Sequence, residues 1–357
     1  MKMRRWIAAC FAAVLALGTA RAETILIAQI PIGNQPEIVA QALGLYKKYG
    51  LDVEVKLFRD GPAMMQGLLS GDLQMVDSGT VPMLHLVAQS VPLYYLVSSG
   101  INTPSTPLGA IMVRREETAI KSFADLKGRK IGQLGKGVNT DLWLSDAAAH
   151  YGMVPDAIRQ VFVPFPHMGN LLASKQVDAV YTWAPFDTII SLARQGRVLQ
   201  TDVAWNPYAE TGGMVVRKAW ADKNPALVGK LVRVEIEVNR WIDDHPTEAR
   251  AILGKALNLP APVYRKMHLA YFPRNGYPLM PGVWDFYYLM VKSGAMAPIA
   301  APKASFDKYW VEPARRFITP ALKALGTEPD PLVERVLKIR LPDLPNPPQT
   351  YFAAWDR

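Results

Sequence analysis

The chain has 357 residues, a formal net charge of +9 and a single cysteine, Cys10. That length suits two lobes of about 150 residues each, every one large enough for its own apolar core. Loss of a leader containing Cys10 excludes disulfides and thiolate chemistry, and no arginine-rich run or zinc-finger spacing supports a nucleic-acid role.

Residues 1–22 read as a signal peptide. Lys2, Arg4 and Arg5 precede an uncharged run over residues 6–20, and Ala20-Arg21-Ala22 supplies a small-residue cleavage pattern. The run falls short of the ~18 apolar residues that a membrane span requires. Ile7-Ala8-Ala9-Cys10 looks like a lipobox, yet only Trp6 separates it from Arg5, so cleavage after Ala22 is expected instead. Cleavage leaves 335 residues and removes four basic groups, lowering the charge to +5. Such a surplus gives a solvated surface with a mild preference for anions.

The mature sequence then alternates strands and helices. Residues 23–29 read as a strand, with a loop at Pro31 to Gln35. Pro36, suited to a first helical position, opens a helix through Tyr46 that ends near the glycine signal Tyr49-Gly50. Residues 51–58 form a second strand, residues 62–69 a helix and residues 73–76 a third strand. A helix over 80–88 and a strand over 91–97 follow. This alternation predicts a parallel sheet covered by helices. Residues 101–107, with two prolines, read as a hinge crossing.

Beyond the hinge, strands are expected at 109–113, 130–133, 161–163 and 177–181, with a helix over 139–150. Glu210-Thr211-Gly212-Gly213 reads as the return crossing into a strand at 214–217. From Pro225 the chain becomes helical, with Leu227, Val228, Leu231, Val238 and Trp241 as core. Residues 342–348 are proline-rich and expected to lie extended on the surface.

An internal echo organises these elements. The stretch from Leu68 to Ser78 recurs from Leu172 to Thr182, 104 residues later, as helix end, polar turn, strand and small hydroxyl residue. One such strand tip in each of two lobes implies a cleft, because ligands of open α/β sheets bind at the carboxyl ends of the strands.

Each candidate site residue has a plain structural alternative. Ser78, Gly79 and Thr80 join a strand end to a helix start, where free N–H groups favour an anion; the alternative is a simple Thr80 cap. Asn139 and Thr140 follow the glycine turn Gly135-Lys136-Gly137, which fails both the phosphate-loop and the dinucleotide fingerprints. They are either ligand donors or caps. Trp183 is either an apolar wall of the cleft or a core residue. Arg59 either grips a ligand charge or pairs with Asp60 on the surface. The five histidines lack metal-ligand spacing, so no metal, cofactor or catalytic residue is expected.

In order and spacing, several segments resemble the periplasmic substrate-binding proteins of the nitrate/taurine/alkanesulfonate ABC importer family. They are Pro36-Glu37-Ile38-Val39-Ala40-Gln41, the stretch from Tyr46 to Val55, Leu69-Ser70-Gly71-Asp72, Asp125 to Ile131, and Tyr181-Thr182-Trp183-Ala184-Pro185. The taurine-binding branch is nearest, through Trp183-Ala184-Pro185 and Gln74 with Gly79 and Pro82. The resemblance implies a two-lobed α/β fold of the type II periplasmic binding class, each lobe a mostly parallel sheet flanked by helices. It implies lobe I over residues 23–103, lobe II over 104–211, and a lobe I return with a helical region over 212–357.

The implied role is a monomeric, periplasmic, non-enzymatic receptor that captures a small anionic organic solute and delivers it to an inner-membrane permease with its cytoplasmic ATPase. Taurine-type members carry acids where this chain has Gln35 and Gly212, so Glu210 or Asp77 are candidate substitutes. A sulfonate or carboxylate without an amine fits equally well. The alternative is an exported enzyme or sensor on the same fold, acting on a pyrimidine, sulfinate or aromatic carboxylate.

Overall fold

The computed structural model describes residues 24–33, 35–58, 61–154, 157–204 and 207–338. The expected signal peptide, Arg59 and the proline-rich tail lie outside these residues. The first run comprises β1 (Ile25–Gln29), α1 (Pro36–Ala42), α2 (Leu45–Lys48), β2 (Val53–Leu57), α3 (Gly61–Ser70), β3 (Met75–Gly79), α4 (Thr80–Ala88) and β4 (Leu93–Ile101). The second comprises β5 (Gly109–Arg114), a 3₁₀ turn (Phe123–Leu126), β6 (Lys130–Gln133), α5 (Asn139–His150), β7 (Arg159–Phe162), α6 (Phe165–Ala173), β8 (Ala179–Trp183), α7 (Phe186–Leu192) and β9 (Gly196–Thr201).

β10 (Glu210–Arg217) returns to the first sheet. Helices follow: α8 (Lys218–Lys223), α9 (Pro225–Asp244), α10 (Pro246–Ala256), α11 (Ala261–Tyr264), α12 (Met280–Lys292) and α13 (Pro302–Phe306). Two π-helical turns, Asp307–Val311 and Ala314–Ile318, lead into α14 (Thr319–Leu325) and α15 (Pro331–Lys338).

The fold is the expected two-lobed α/β arrangement, built on two five-stranded sheets of order β2-β1-β3-β10-β4 and β7-β6-β8-β5-β9. Both sheets are mixed. β1 pairs in parallel with β2 and β3, and β6 with β7 and β8, whereas β10 and β5 run antiparallel to their neighbours. The antiparallel strands are the two that directly follow a crossing between the sheets, so each enters its sheet from the opposite end.

This explains the main boundary shifts. β3 ends at Gly79 rather than residue 76 because β10 pairs alongside it, with Gly212 opposite Gly79. β8 reaches Trp183 rather than residue 181 because β5 places Gly109 opposite Trp183. The expected return crossing at residues 210–213 is itself strand. The helix expected through Tyr46 breaks at Gly44, whose φ of 70° turns the chain before α2 begins.

Asn102 joins the two crossings. Its side chain donates to Asp202 Oδ1 (2.9 Å) and accepts from the Leu108 N–H (2.9 Å), while its backbone pairs with Tyr208 and Ala209. Aromatic residues of the C-terminal region pack on the first sheet. Trp310 packs on Tyr95 (ring centroids 5.7 Å) and Phe317 on Tyr94 (6.4 Å), so the C-terminal helices cover β4, the edge strand of the first sheet.

Candidate functional site

The carboxyl ends of β3 and β8 meet across a cavity of ≈ 630 Å³. Ser78, Gly79, Thr211 and Gly212 line it from the first lobe, and Leu134, Val138, Asn139 and Trp183 from the second. Met64 and Met65 of α3, with Ile30 and Ile32, make most of the remaining wall apolar. Among the described lining residues, Asp77 is the ionisable one. It accepts a hydrogen bond from the Ser99 hydroxyl (2.7 Å), and burial pushes its carboxyl up to about 6.

Ser78, Gly79, Asn139 and Trp183 therefore come together at the cavity. Trp183 stands in an aromatic run, with ring centroids 6.4 Å from Trp143 and 5.7 Å from Phe165; Trp143 in turn lies 5.4 Å from Phe286 of α12. The C-terminal helical region thus backs the ligand wall of the second lobe.

Asn139 does more than line the cavity. Its Oδ1 accepts from the Val81 N–H of α4 (3.1 Å), and its Nδ2 donates to the Thr211 carbonyl (2.7 Å). Both partners belong to the opposite lobe, so one side chain ties the lobes together and fills part of the helix start expected to hold an anion. Gly79 permits this approach: a Cβ there would lie 3.0 Å from Asn139 Oδ1.

Three expected ligand contacts are committed elsewhere. The Thr80 hydroxyl donates to the Glu210 carbonyl rather than capping α4, whose cap position is Gly79. Thr140 donates to Gln133 Oε1 (2.9 Å) inside its own lobe. The Glu210 carboxylate accepts from Tyr95 Oη (2.7 Å) and the Leu279 N–H (2.6 Å), with burial pushing it up to about 7. Each side chain satisfies a buried backbone or side-chain group, a demand that spacing alone does not reveal.

Gln35 is buried just ahead of α1, and both polar atoms of its side chain lack a partner among the described residues. Glu37, two residues on, is fully buried in the same state; its carboxyl is raised well above the usual range by burial and by the nearby charges of Glu235 and Asp77. Sequence reading did not single out Glu37 and Glu235, whose charges act on each other and on Asp77 at the cleft. The signal available was Glu37 in the first turn of a helix whose one other polar residue is Gln41, which reads equally as a favourable dipole partner. Among the described residues no His, Cys, Asp and Glu group has metal-binding geometry.

A model of the NMT1-like family matches residues 20–258, about two thirds of the chain. The chain belongs to the NMT1-like family. This NMT1-like chain is 27% identical over 210 residues to the taurine-binding periplasmic protein of Escherichia coli K12, covering 58% of this chain and 62% of that relative's length. It also resembles the crystal structure of the periplasmic aliphatic sulphonate binding protein SsuA from Escherichia coli, with 25% identity, a TM-score of 0.57 and coverage of 68% and 81%. The fold further matches the periplasmic nitrate-binding protein NrtA of Synechocystis PCC 6803, with 19% identity, a TM-score of 0.74 and coverage of 86% and 90%. In this NMT1-like protein no helix among the described residues is long and apolar enough to cross a membrane.

Proposed function

We propose that this chain is the solute-capturing component of an ABC-type importer. In this reading it is a periplasmic monomer, freed of residues 1–22, that closes on a small organic solute and hands it to a membrane permease coupled to a cytoplasmic ATPase. The observation that carries the reading is the cavity between equivalent strand ends, bridged by Asn139 from one lobe to the other. Lobe closure around such a cavity removes the ligand from water, so affinity comes from desolvated hydrogen bonds and apolar contact rather than covalent chemistry. The names of the relatives, which bind sulfonates, taurine or nitrate, support a small anionic solute of the taurine or alkanesulfonate type.

Ser78, Asn139 and Trp183 are the residues proposed to touch it: the Ser78 hydroxyl donates to the Gly79 carbonyl (3.2 Å) and can still accept, and the Asn139 amide keeps its second N–H. The test is a thermal-shift screen over sulfonates, carboxylates and nitrate, followed by calorimetry on the best binder. A true ligand raises the melting temperature by mass action. Trp183→Ala is expected to weaken binding about 10- to 100-fold, since it removes most of one apolar wall. A screen in which no solute raises the melting temperature sinks the reading.

A further inference from the structure

A second cavity of ≈ 500 Å³ adjoins the cleft. Ile30 and Leu134 line both spaces, so the two are neighbours across that pair of side chains. The second is walled by Pro31, Pro164, Phe165, Pro166, His167 and Phe186. It is therefore mostly apolar, with Pro164, Phe165 and Pro166 at the start of α6, Phe186 at the start of α7 and Pro31 in the loop after β1.

The aromatic surface runs unbroken from one cavity to the other. Trp183, in the cleft, lies 5.7 Å from Phe165, and Phe165 stacks on Phe186 at 5.8 Å with an interplanar angle of 25°. Phe186 thus stands two ring spacings, 5.7 and 5.8 Å, beyond Trp183 along this aromatic wall. Flat apolar walls of this kind suit a ring or a branched alkyl group, which gains from burial against aromatic faces.

We propose that this side cavity is a tail subsite of the cleft, and that the solute carries an apolar, ring-sized substituent seated against Phe165 and Phe186 while its polar head stays between Ser78 and Asn139. The proposal rests on the solute-capture reading and narrows it to elongated amphiphilic solutes.

Calorimetry on the exported chain with matched pairs tests it: ethanesulfonate against 2-phenylethanesulfonate, and acetate against phenylacetate. The phenyl member of whichever pair binds is expected to bind about 10- to 100-fold tighter, the gain for burying a group of that size. Phe186→Ala removes one wall, and His167→Trp fills the space from an exposed position. Both are expected to bring the ratio within a pair towards one, with the melting temperature reporting that each variant is folded. Equal affinities within every pair, or a phenyl advantage that survives both variants, overturns the tail subsite while leaving solute capture standing. Absence of binding by all four compounds counts against both.

Discussion

At the scale of single residues, Asn139 decides how the cleft behaves. Its two hydrogen bonds tie α5 to α4 and β10 across the gap. A buried hydrogen bond contributes about 1 kcal/mol net, and stranding a buried partner costs about 1–3 kcal/mol. Asn139→Ala leaves the Val81 N–H and the Thr211 carbonyl without that partner unless the lobes part and water reaches them. The expected outcome is a shift towards an open form, seen as a larger radius of gyration in small-angle scattering of the ligand-free protein. Ligand affinity should fall about 10-fold or more by the same differential. An unchanged scattering profile removes Asn139 from this role. The residue was legible in the sequence as a candidate, because a glycine turn precedes it. Its partners were not, since they lie 58 and 72 residues away.

At the scale of elements, the echo spans more than its few identities. Ile27 pairs with Met75 in the first sheet and Ile131 with Ala179 in the second, each pair displaced by the same 104 residues. The side chains preceding β3 and β8 repeat one device: Gln74 accepts from the Leu26 N–H (2.8 Å), and Asp178 from the Lys130 N–H (2.9 Å). The turns also match, for Gly71 and Lys175 both have positive φ, 100° and 61°. Lysine bears a Cβ penalty there that glycine escapes. Lys175→Gly is therefore expected to stabilise the second lobe by about 0.5–1 kcal/mol, read as a rise of a few degrees in melting temperature. A fall in melting temperature shows that the flexibility added to the unfolded chain outweighs the relieved strain. Element types were largely readable from periodicity and from proline and glycine signals. Strand ends and strand direction were not, because the partners β5 and β10 arrive from across the hinge.

At the scale of the whole molecule, buried carboxyls set the response to pH. Burial pushes Asp77 up to about 6, Asp202 and Glu210 up to about 7, and Glu235 up to about 8. Their unfolded values lie near ~4, so from about pH 4 upward the native state holds protons that the unfolded chain has lost. Stability from these groups is complete below ~4 and is lost as pH rises through the native values. The surface acids Asp222 and Asp244 are held below the usual range by Lys218 and Arg274, so their contribution falls away only at lower pH. The expected result is a melting temperature that declines between about pH 5 and 8.5. Glu235→Gln, which keeps an acceptor for the Tyr46 hydroxyl, should flatten the decline. A melting temperature that rises over that window contradicts the assignment.

The sequence by itself determined the two-lobed α/β class, the echoing strand tips and four of the residues that meet at the cavity, because these depend on periodicity, local turns and short motifs. Tertiary structure alone decided which polar side chains line the cavity. Thr80, Thr140 and Glu210 carry the right chemistry at the right distance along the chain, yet each is spent on a buried group that must be hydrogen-bonded. That demand arises only when distant strands pack together, and packing likewise joined Phe165 and Phe186 to the wall begun by Trp183.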